Sequence, residues 1–294
     1  MLSNTLHFLL HHPLTRQQRG KALRRFLTWQ IASRVFAAPA LIPFVGPTRL
    51  MVTRGQHAAT GNLYVGLHEF DEMAFTLHAL RASDLFVDVG ANIGAYTLLA
   101  SGCAGAHSIA IEPVHATFST LMDNVNLNGI AAKVQALECG LGARAGYLHF
   151  SQHDDSCNHV VLGGAYAASG AVPTPVRTLD DVLEGQHALM LKIDVEGFEG
   201  EVLAGGMGEL AGRHPCAMII ELGQGGPYGH PAATVDATLR NAGFAPATYS
   251  PTDRTLNPMF HAPLDGNVLY LRDLDFFRER VATAPTFSVL DSLI

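Results

Sequence analysis

Phe86-Val87-Asp88-Val89-Gly90-Ala91-Asn92-Ile93-Gly94-Ala95-Tyr96-Thr97 decides the fold. The apolar run Leu85–Val89, carrying one acid, reads as a buried strand. Gly90 to Gly94 reads as a turn, and a helix starts at Ala95 and reaches about Ser101. In an open α/β sheet a ligand sits beyond the carboxyl end of such a strand, where the turn feeds a helix. Gly90 allows a tight turn and close approach of backbone N–H groups to that ligand, and Gly94 lets the helix pack close to the strand. The spacing is G-x-N-x-G, so Asn92 stands where the pyrophosphate fingerprint G-x-G-x-x-G needs its middle glycine. Asp88, just before the loop, suits a ligand with an ammonium group better than a diphosphate.

Glu112 closes the next strand, His107–Ile111, 18 residues beyond Gly94. A carboxylate there can accept both hydroxyls of an unphosphorylated ribose. Each glycine alone is an ordinary turn residue, and Glu112 alone a strand-end acid; at this joint register they point to a nucleoside cofactor. S-adenosylmethionine has that ribose, an amino-acid end and a sulfonium charge.

Strands and helices alternate from Ser83 onward. Helix is expected over 116–128, 199–210 and 233–242, and strand over 133–137, Gly146–Phe150, 188–193, 216–221 and 268–271. Near-continuous apolar strands between helices imply a parallel sheet covered on both faces. The Gly/Ala-rich stretch 163–171 is a loop.

A second charged cluster lies in Leu189-Met190-Leu191-Lys192-Ile193-Asp194-Val195-Glu196-Gly197-Phe198-Glu199. Strand alternation sends Lys192 and Asp194 to the same side, and charges leaving a buried strand are costly unless paired or used. Glu196 and Glu199 have a plainer role open to them, as acids at a helix start. Asp194 is the first candidate for a general base, with Lys192 tuning it or anchoring an acceptor, and Glu221 at the end of the fifth strand is the second.

The DVGANIGAYT loop, the IEP strand end, Thr178-Leu179-Asp180 and the KIDVEGFEGEVLAGG run together resemble the FkbM family of S-adenosylmethionine-dependent methyltransferases. The resemblance covers roughly residues 84–245. It implies a class I, Rossmann-like fold: a mostly parallel seven-stranded sheet with a reversed last hairpin and helices on both faces. It also implies O-methylation of a hydroxyl on a sugar, glycolipid or other small-molecule acceptor. By the same resemblance Asp88, Gly90, Asn92, Gly94 and Glu112 bind the cofactor, and Lys192, Asp194 and Glu196 lie at the active-site mouth. An NAD-type oxidoreductase and a non-catalytic cofactor-binding module are the competing readings.

Residues 1–80 form an extension outside this resemblance, before a methyltransferase domain over 81–294. Of the chain's 19 Lys and Arg, eight (Arg16, Arg19, Lys21, Arg24, Arg25, Arg34, Arg49, Arg54) lie in residues 1–68, which hold no Asp or Glu. The remaining 11 therefore face all 26 acids in residues 69–294. A basic arm on an acidic body fits an anionic lipid surface, a phosphorylated substrate, or docking of the arm on its own body. Over 15–36, Leu23, Phe26, Leu27, Ile31 and Val35 recur at helical steps between arginines, which suits peripheral contact with an inner membrane surface or packing on the domain. Pro39, Pro43 and Pro47 mark a linker. Strand is expected over 50–53 and 62–65, then helix over 71–80. Glu69 and Glu72 sit close enough in sequence to reach back toward the cofactor.

Only 15% of residues are charged, against roughly a quarter in an average globular protein. Hydrophobic content of 48% supports a sizeable core. The four cysteines form no CxxC pair and fit reduced cytoplasmic thiols. The prolines break the apolar stretch 35–45, so it does not span a bilayer. No nucleic-acid partner and no metal are called for. His153, Asp154, Asp155 and His159 read as polar loop residues, His11 and His12 as solvated, and Asp194 with Glu221 as a pair that could hold Mg²⁺ without needing it.

Overall fold

The computed structural model describes all residues except 1, 37, 153–157, 162, 164–169 and 224–225. Helices α1 (Leu2–His11) and α2 (Arg19–Val35) are followed by a hairpin of β1 (Ala40–Pro43) and β2 (Arg49–Val52). Then come α3 (His57–Val65) and α4 (Phe70–Ala79). The expected linker at Pro39–Pro47 is thus a hairpin, because Phe44 and Val45 are buried in the core and fix the turn. The strand expected over 62–65 is the last turn of α3. Tyr64 packs edge-on to Phe26 of α2, and Gly66 (φ 90) ends the helix. An aromatic and β-branched run this short has no period that separates helix from strand, and tertiary packing decides.

The main sheet draws on β3 (Leu85–Val89), β4 (His107–Ile111) and β5 (Val134–Leu137), with α5 (Ala95–Thr97) after β3 and α6 (His115–Leu127) after β4. α5 runs on as a π-helical turn, Leu98–Cys103. A side sheet of β6 (Gly140–Leu141), β7 (Gly146–Phe150) and β8 (Val172–Arg177) follows, ordered β6-β8-β7. The chain returns to the main sheet with β9 (Met190–Ile193), β10 (Cys216–Leu222), β11 (Ala245–Ser250), β12 (Thr255–Pro258) and β13 (Gly266–Arg272). The strand order is β12-β11-β13-β10-β9-β3-β4-β5. β10, β9, β3, β4 and β5 are parallel, whereas β13, β11 and β12 join antiparallel. The sheet therefore has eight strands rather than seven. The additional one, β12, pairs only with β11 at the edge, and nothing in its short polar sequence announces it.

Alternate residues of each strand face opposite layers. Phe86, Met190, Ala217 and Leu269 point into a core that includes Phe26, Trp29, Phe44, Val45, Phe75 and Phe277. Val87, Leu191, Met218 and Tyr270 point to the other side, against Leu179, Val202, Val235 and Leu239. The described residues of the extension thus supply part of one covering layer of the sheet, together with Leu98, Leu121 and Phe277. The single helix expected over 199–210 is two, Glu199–Ala204 and Met207–Ala211. A Cβ on Gly205 would lie 2.1 Å from the Gly142 carbonyl oxygen, so the break lets backbone meet backbone. Chain order runs from β3 outward through β4 and β5, then jumps back to β9 on the other side. The carboxyl ends of the paired strands β3 and β9 are the switch point where a ligand crevice opens.

Candidate functional site

At the end of β3, the buried Asp88 carboxylate accepts a hydrogen bond from Thr97 Oγ1 at 2.7 Å. Burial pushes it up to about 6, against the pull of Thr97 and Lys192. The loop that follows spends its N–H groups on the protein. Gly90 and Ala91 donate to Ile111 O, Asn92 to Glu112 Oε2, Ile93 to Asn92 Oδ1 and Gly94 to Ala91 O, all within 3.0 Å. The expected presentation of these N–H groups to a ligand is therefore not what Gly90 serves. A Cβ there (φ 78) would sit 1.9 Å from the Asp194 carbonyl oxygen, so this glycine lets the ends of β3 and β9 touch. Gly94 (φ 86) allows a close approach to Leu121 of α6, 2.4 Å from its missing Cβ, rather than to the strand. Asn92 (φ 51) sits in the left-handed region that asparagine tolerates better than most residues.

Glu112 holds this turn. Its two oxygens accept from Asn92 N–H and Val114 N–H, each at 3.0 Å, and burial pushes it up to about 7. It lies behind the loop, outside the set of residues lining the crevice. A carboxylate oxygen can accept a further bond, so a ribose contact would need the loop to admit it.

At the end of β9, Lys192 and Asp194 emerge side by side. Lys192 Nζ is 2.6 Å from Asp194 Oδ2 and 4.9 Å from the Tyr96 ring centroid. Burial opposes its charge, but Asp194, Glu69 and Asp88 more than offset that and hold Lys192 above its ordinary value. Asp194 is likewise raised by burial, then held below its usual value by Lys192 and by a hydrogen bond from Glu221. Glu221, at the end of β10, is pushed up to about 8 by burial and by its neighbours Asp194, Glu196 and Glu199. At neutral pH, Asp194 and Glu221 therefore share one proton. Glu196 (φ 54) and Gly197 (φ 99) form the tight turn after β9, and Glu196 lines the crevice. Glu199 does not: its Oε1 accepts from Val195 N–H and Gly197 N–H and closes the turn.

The crevice collects Glu69, Asp88, Asp194, Glu196 and Glu221 around one lysine. Its second wall comes from residues the sequence did not single out: Asn62, His68, Met73 and Tyr96. Tyr96 O–H donates to Glu69 Oε2 at 2.6 Å, and Asn267 Nδ2 donates to Glu69 Oε1 at 2.8 Å. Tyr96 lay inside the quoted motif, two residues past Gly94, and was the one signal available. Glu72 lies instead in the neighbouring pocket beside Phe75 and Tyr249, pushed up to about 7 by burial. Asp194, Glu196 and Glu221 have carboxylate oxygens within 4.8 Å of one another, near enough to chelate a divalent cation. The shared proton relieves the same crowding by other means.

His12 is buried rather than solvated, edge-on to Phe8 and Phe70, which lowers its pKa to about 4 through burial. His11 is exposed. His153, Asp154 and Asp155 fall outside the described residues, and His159 donates its backbone N–H to Ser151 Oγ. Far from the crevice, His187 and His214 both bond the buried Glu209 carboxylate, with the Arg272 guanidinium packed against His214. That neighbouring positive charge suits a structural carboxylate better than a metal centre.

Residues 88–246, over half of the 294-residue chain, match the Methyltransferase FkbM domain. Methyltransferase sdnD of Sordaria araneosa is 30% identical across 46% of this chain and 65% of its own. Methyltransferase 1 of Beauveria bassiana (strain ARSEF 2860) is 29% identical across 46% of this chain and 64% of its own. The chain thus spans just under two thirds of the length of these relatives. The solved structure of M. jannaschii TYW2 in complex with AdoMet aligns at a TM-score of 0.45 and 11% identity, over 80% of this chain and 85% of that one.

Proposed function

The chain belongs to the FkbM family of S-adenosylmethionine-dependent methyltransferases, and on that premise we propose that it methylates a hydroxyl oxygen of a sugar, glycolipid or other small-molecule acceptor. The observation that carries this reading is the charge of the crevice: five carboxylates and one lysine at the β3–β9 switch point. Such a donor set fits a cofactor bearing an ammonium and a sulfonium. It repels a diphosphate, and the loop from Gly90 to Gly94 has no N–H left to cradle one. A nicotinamide dinucleotide is therefore disfavoured on two independent counts.

Bound there, S-adenosylmethionine would supply an electrophilic methyl carbon on a positively charged sulfur. Asp88 and Glu69 are placed to hold the ammonium, and Tyr96 and Asn267 fix Glu69 for it. A hydroxyl is a weak nucleophile, so its proton must leave as the oxygen attacks. The Asp194–Glu221 pair receives that proton once it has lost its shared one. Lys192 keeps Asp194 charged and oriented, which leaves Glu221, near neutral in its titration, as the better base of the two. In this reading Asp194, the first candidate base from the sequence, tunes Glu221, the second candidate, which takes the proton.

Calorimetric titration of the full chain with S-adenosylhomocysteine and with NADH tests the cofactor. Binding of the first and not the second is expected; the reverse would sink the proposal. Incubation of metabolite and glycolipid extracts with S-adenosylmethionine carrying a deuterated methyl group, followed by mass spectrometry, tests the acceptor. Label found on nitrogen or carbon instead of oxygen would overturn the O-methylation.

A further inference from the structure

The wall of the crevice contributed by α3 carries an unused donor. Asn62 is 2% exposed, and its Oδ1 accepts from the His68 backbone N–H at 2.8 Å. That bond fixes the amide's orientation and leaves Nδ2 without a partner. His68 Nδ1 is also unpartnered, and burial lowers the His68 pKa, keeping the ring neutral. The ring rests on Gly61, where a Cβ would come within 2.3 Å of Nδ1. A glycine inside a helix and a buried unpaired N–H each destabilise the fold. Packing of the ring accounts for the glycine, but not for the unpaired N–H.

We propose that Asn62 Nδ2, with the His68 imidazole beside it, binds the carboxylate of the cofactor's amino-acid end. This rests on the S-adenosylmethionine reading above. A carboxylate entering the crevice meets five acids, while Lys192 is already paired to Asp194 and the loop N–H groups are committed. Among the described lining residues, Asn62 and His68 carry the buried side-chain polar atoms without a partner. With the ammonium at Asp88 and Glu69, the amino-acid end spans from β3 to the extension. Residues 59–73, outside the FkbM match, then form part of the cofactor site.

The Asn62→Asp variant keeps the oxygen that accepts from His68 and replaces only the donor. Titration of wild type and variant with S-adenosylhomocysteine and with decarboxylated S-adenosylmethionine reads the contact directly. The variant is expected to bind the carboxylate-bearing ligand about 30-fold or more weakly, the size of a lost charge-assisted bond. It should bind the decarboxylated ligand as well as wild type does, or better. Equal loss for both ligands, or no loss for either, overturns the assignment. Failure of wild type to bind S-adenosylhomocysteine would overturn the cofactor reading itself.

A second observation is independent of the first. α2 buries Ala22, Phe26 and Trp29 in the domain, yet the opposite face exposes Leu23, Leu27, Ile31 and Val35, four residues apart, the last two by 66% and 67%. Arg19, Arg24 and Arg34 are exposed around that stripe, in a segment without any acid. Two copies packed stripe to stripe would set arginine against arginine. We infer that this face lies in the interfacial layer of an anionic bilayer, the stripe in the acyl boundary and the arginines at the headgroups. No described helix is long and apolar enough to cross the membrane.

Flotation with phosphatidylglycerol-containing vesicles, against pure phosphatidylcholine vesicles, tests it on the full chain. Binding is expected only to the anionic vesicles. It should fall about tenfold at high salt and be lost in the Leu27→Asp/Ile31→Asp double variant, whose circular dichroism stays unchanged. No flotation, equal flotation of the double variant, or a dimer in light scattering that the double variant abolishes would overturn it.

Discussion

Two turns meet at the centre of this molecule, one after β3 and one after β9, and they are built to opposite ends. The first, from Asp88 to Gly94, turns inward. Its N–H groups, its asparagine and the Glu112 behind it bond one another, and only Asp88 offers charge to the crevice. The second, from Lys192 to Glu199, is closed by the Glu199 carboxylate and by the Phe198 N–H to Val195 O bond, and it turns Lys192, Asp194 and Glu196 toward the crevice. The turn with the most recognisable sequence is built as a scaffold, and in the proposed function the charged one carries the chemistry. Gly90 links them, because only a residue without a side chain lets Asp194 approach so closely.

The contrast breaks most visibly at Asp194. Asp194→Asn is expected to lower methyl transfer by about 10³-fold, as for loss of a group that sets proton removal. Gly90→Ala belongs to the scaffold side and should act on the fold: a Cβ 1.9 Å from a carbonyl at φ 78 is expected to cost about 3 kcal/mol or more, read by chemical denaturation. If Gly90→Ala melted like wild type, the two turns would not be held by that contact.

The pH profile sharpens the comparison. Glu221 titrates near 8 in the fold, so activity should climb with pH through that value, and Glu221→Gln should remove the rise. The sign for stability runs the other way. A carboxyl raised in the fold stabilises fully below its unfolded value near 4.5, and that contribution is lost as pH rises through 8. Glu221→Gln should therefore melt higher than wild type at pH 8.5 and not at pH 5. Glu199→Gln keeps an acceptor for the turn and touches no ligand, so a loss of about 1 kcal/mol in stability with little change in turnover is expected. The smallest effect concerns metal. With one proton shared inside the acidic trio, a chelator should change kcat/KM by less than about twofold. A larger loss, restored by Mg²⁺, would put a cation where the account puts a proton.

Much of the sheet was legible because β3, β4, β9 and β10 are short, mostly apolar runs that alternate with helical segments and turn residues. The joint register of Asp88, Asn92 and Lys192 with Asp194 pointed to the crevice. The roles inside the first turn were less legible. Sequence places Gly90 and Glu112 beside a ligand, but cannot show that Asp194 O and the Asn92 and Val114 N–H groups occupy them first. The second wall was invisible for a different reason. Asn62 and His68 have no motif, and Asn62 fell in the run 62–65 expected as strand; only folding α3 and the turn after it over the crevice brings them to it.

The division of labour between the two turns has a direct test: titration of S-adenosylhomocysteine into wild type, Asp88→Asn and Asp194→Asn at neutral pH. Asp194→Asn is expected to bind within about threefold of wild type and Asp88→Asn about 30-fold more weakly, the loss of one charged contact. Wild-type affinity in Asp88→Asn, together with lost binding in Asp194→Asn, would contradict it.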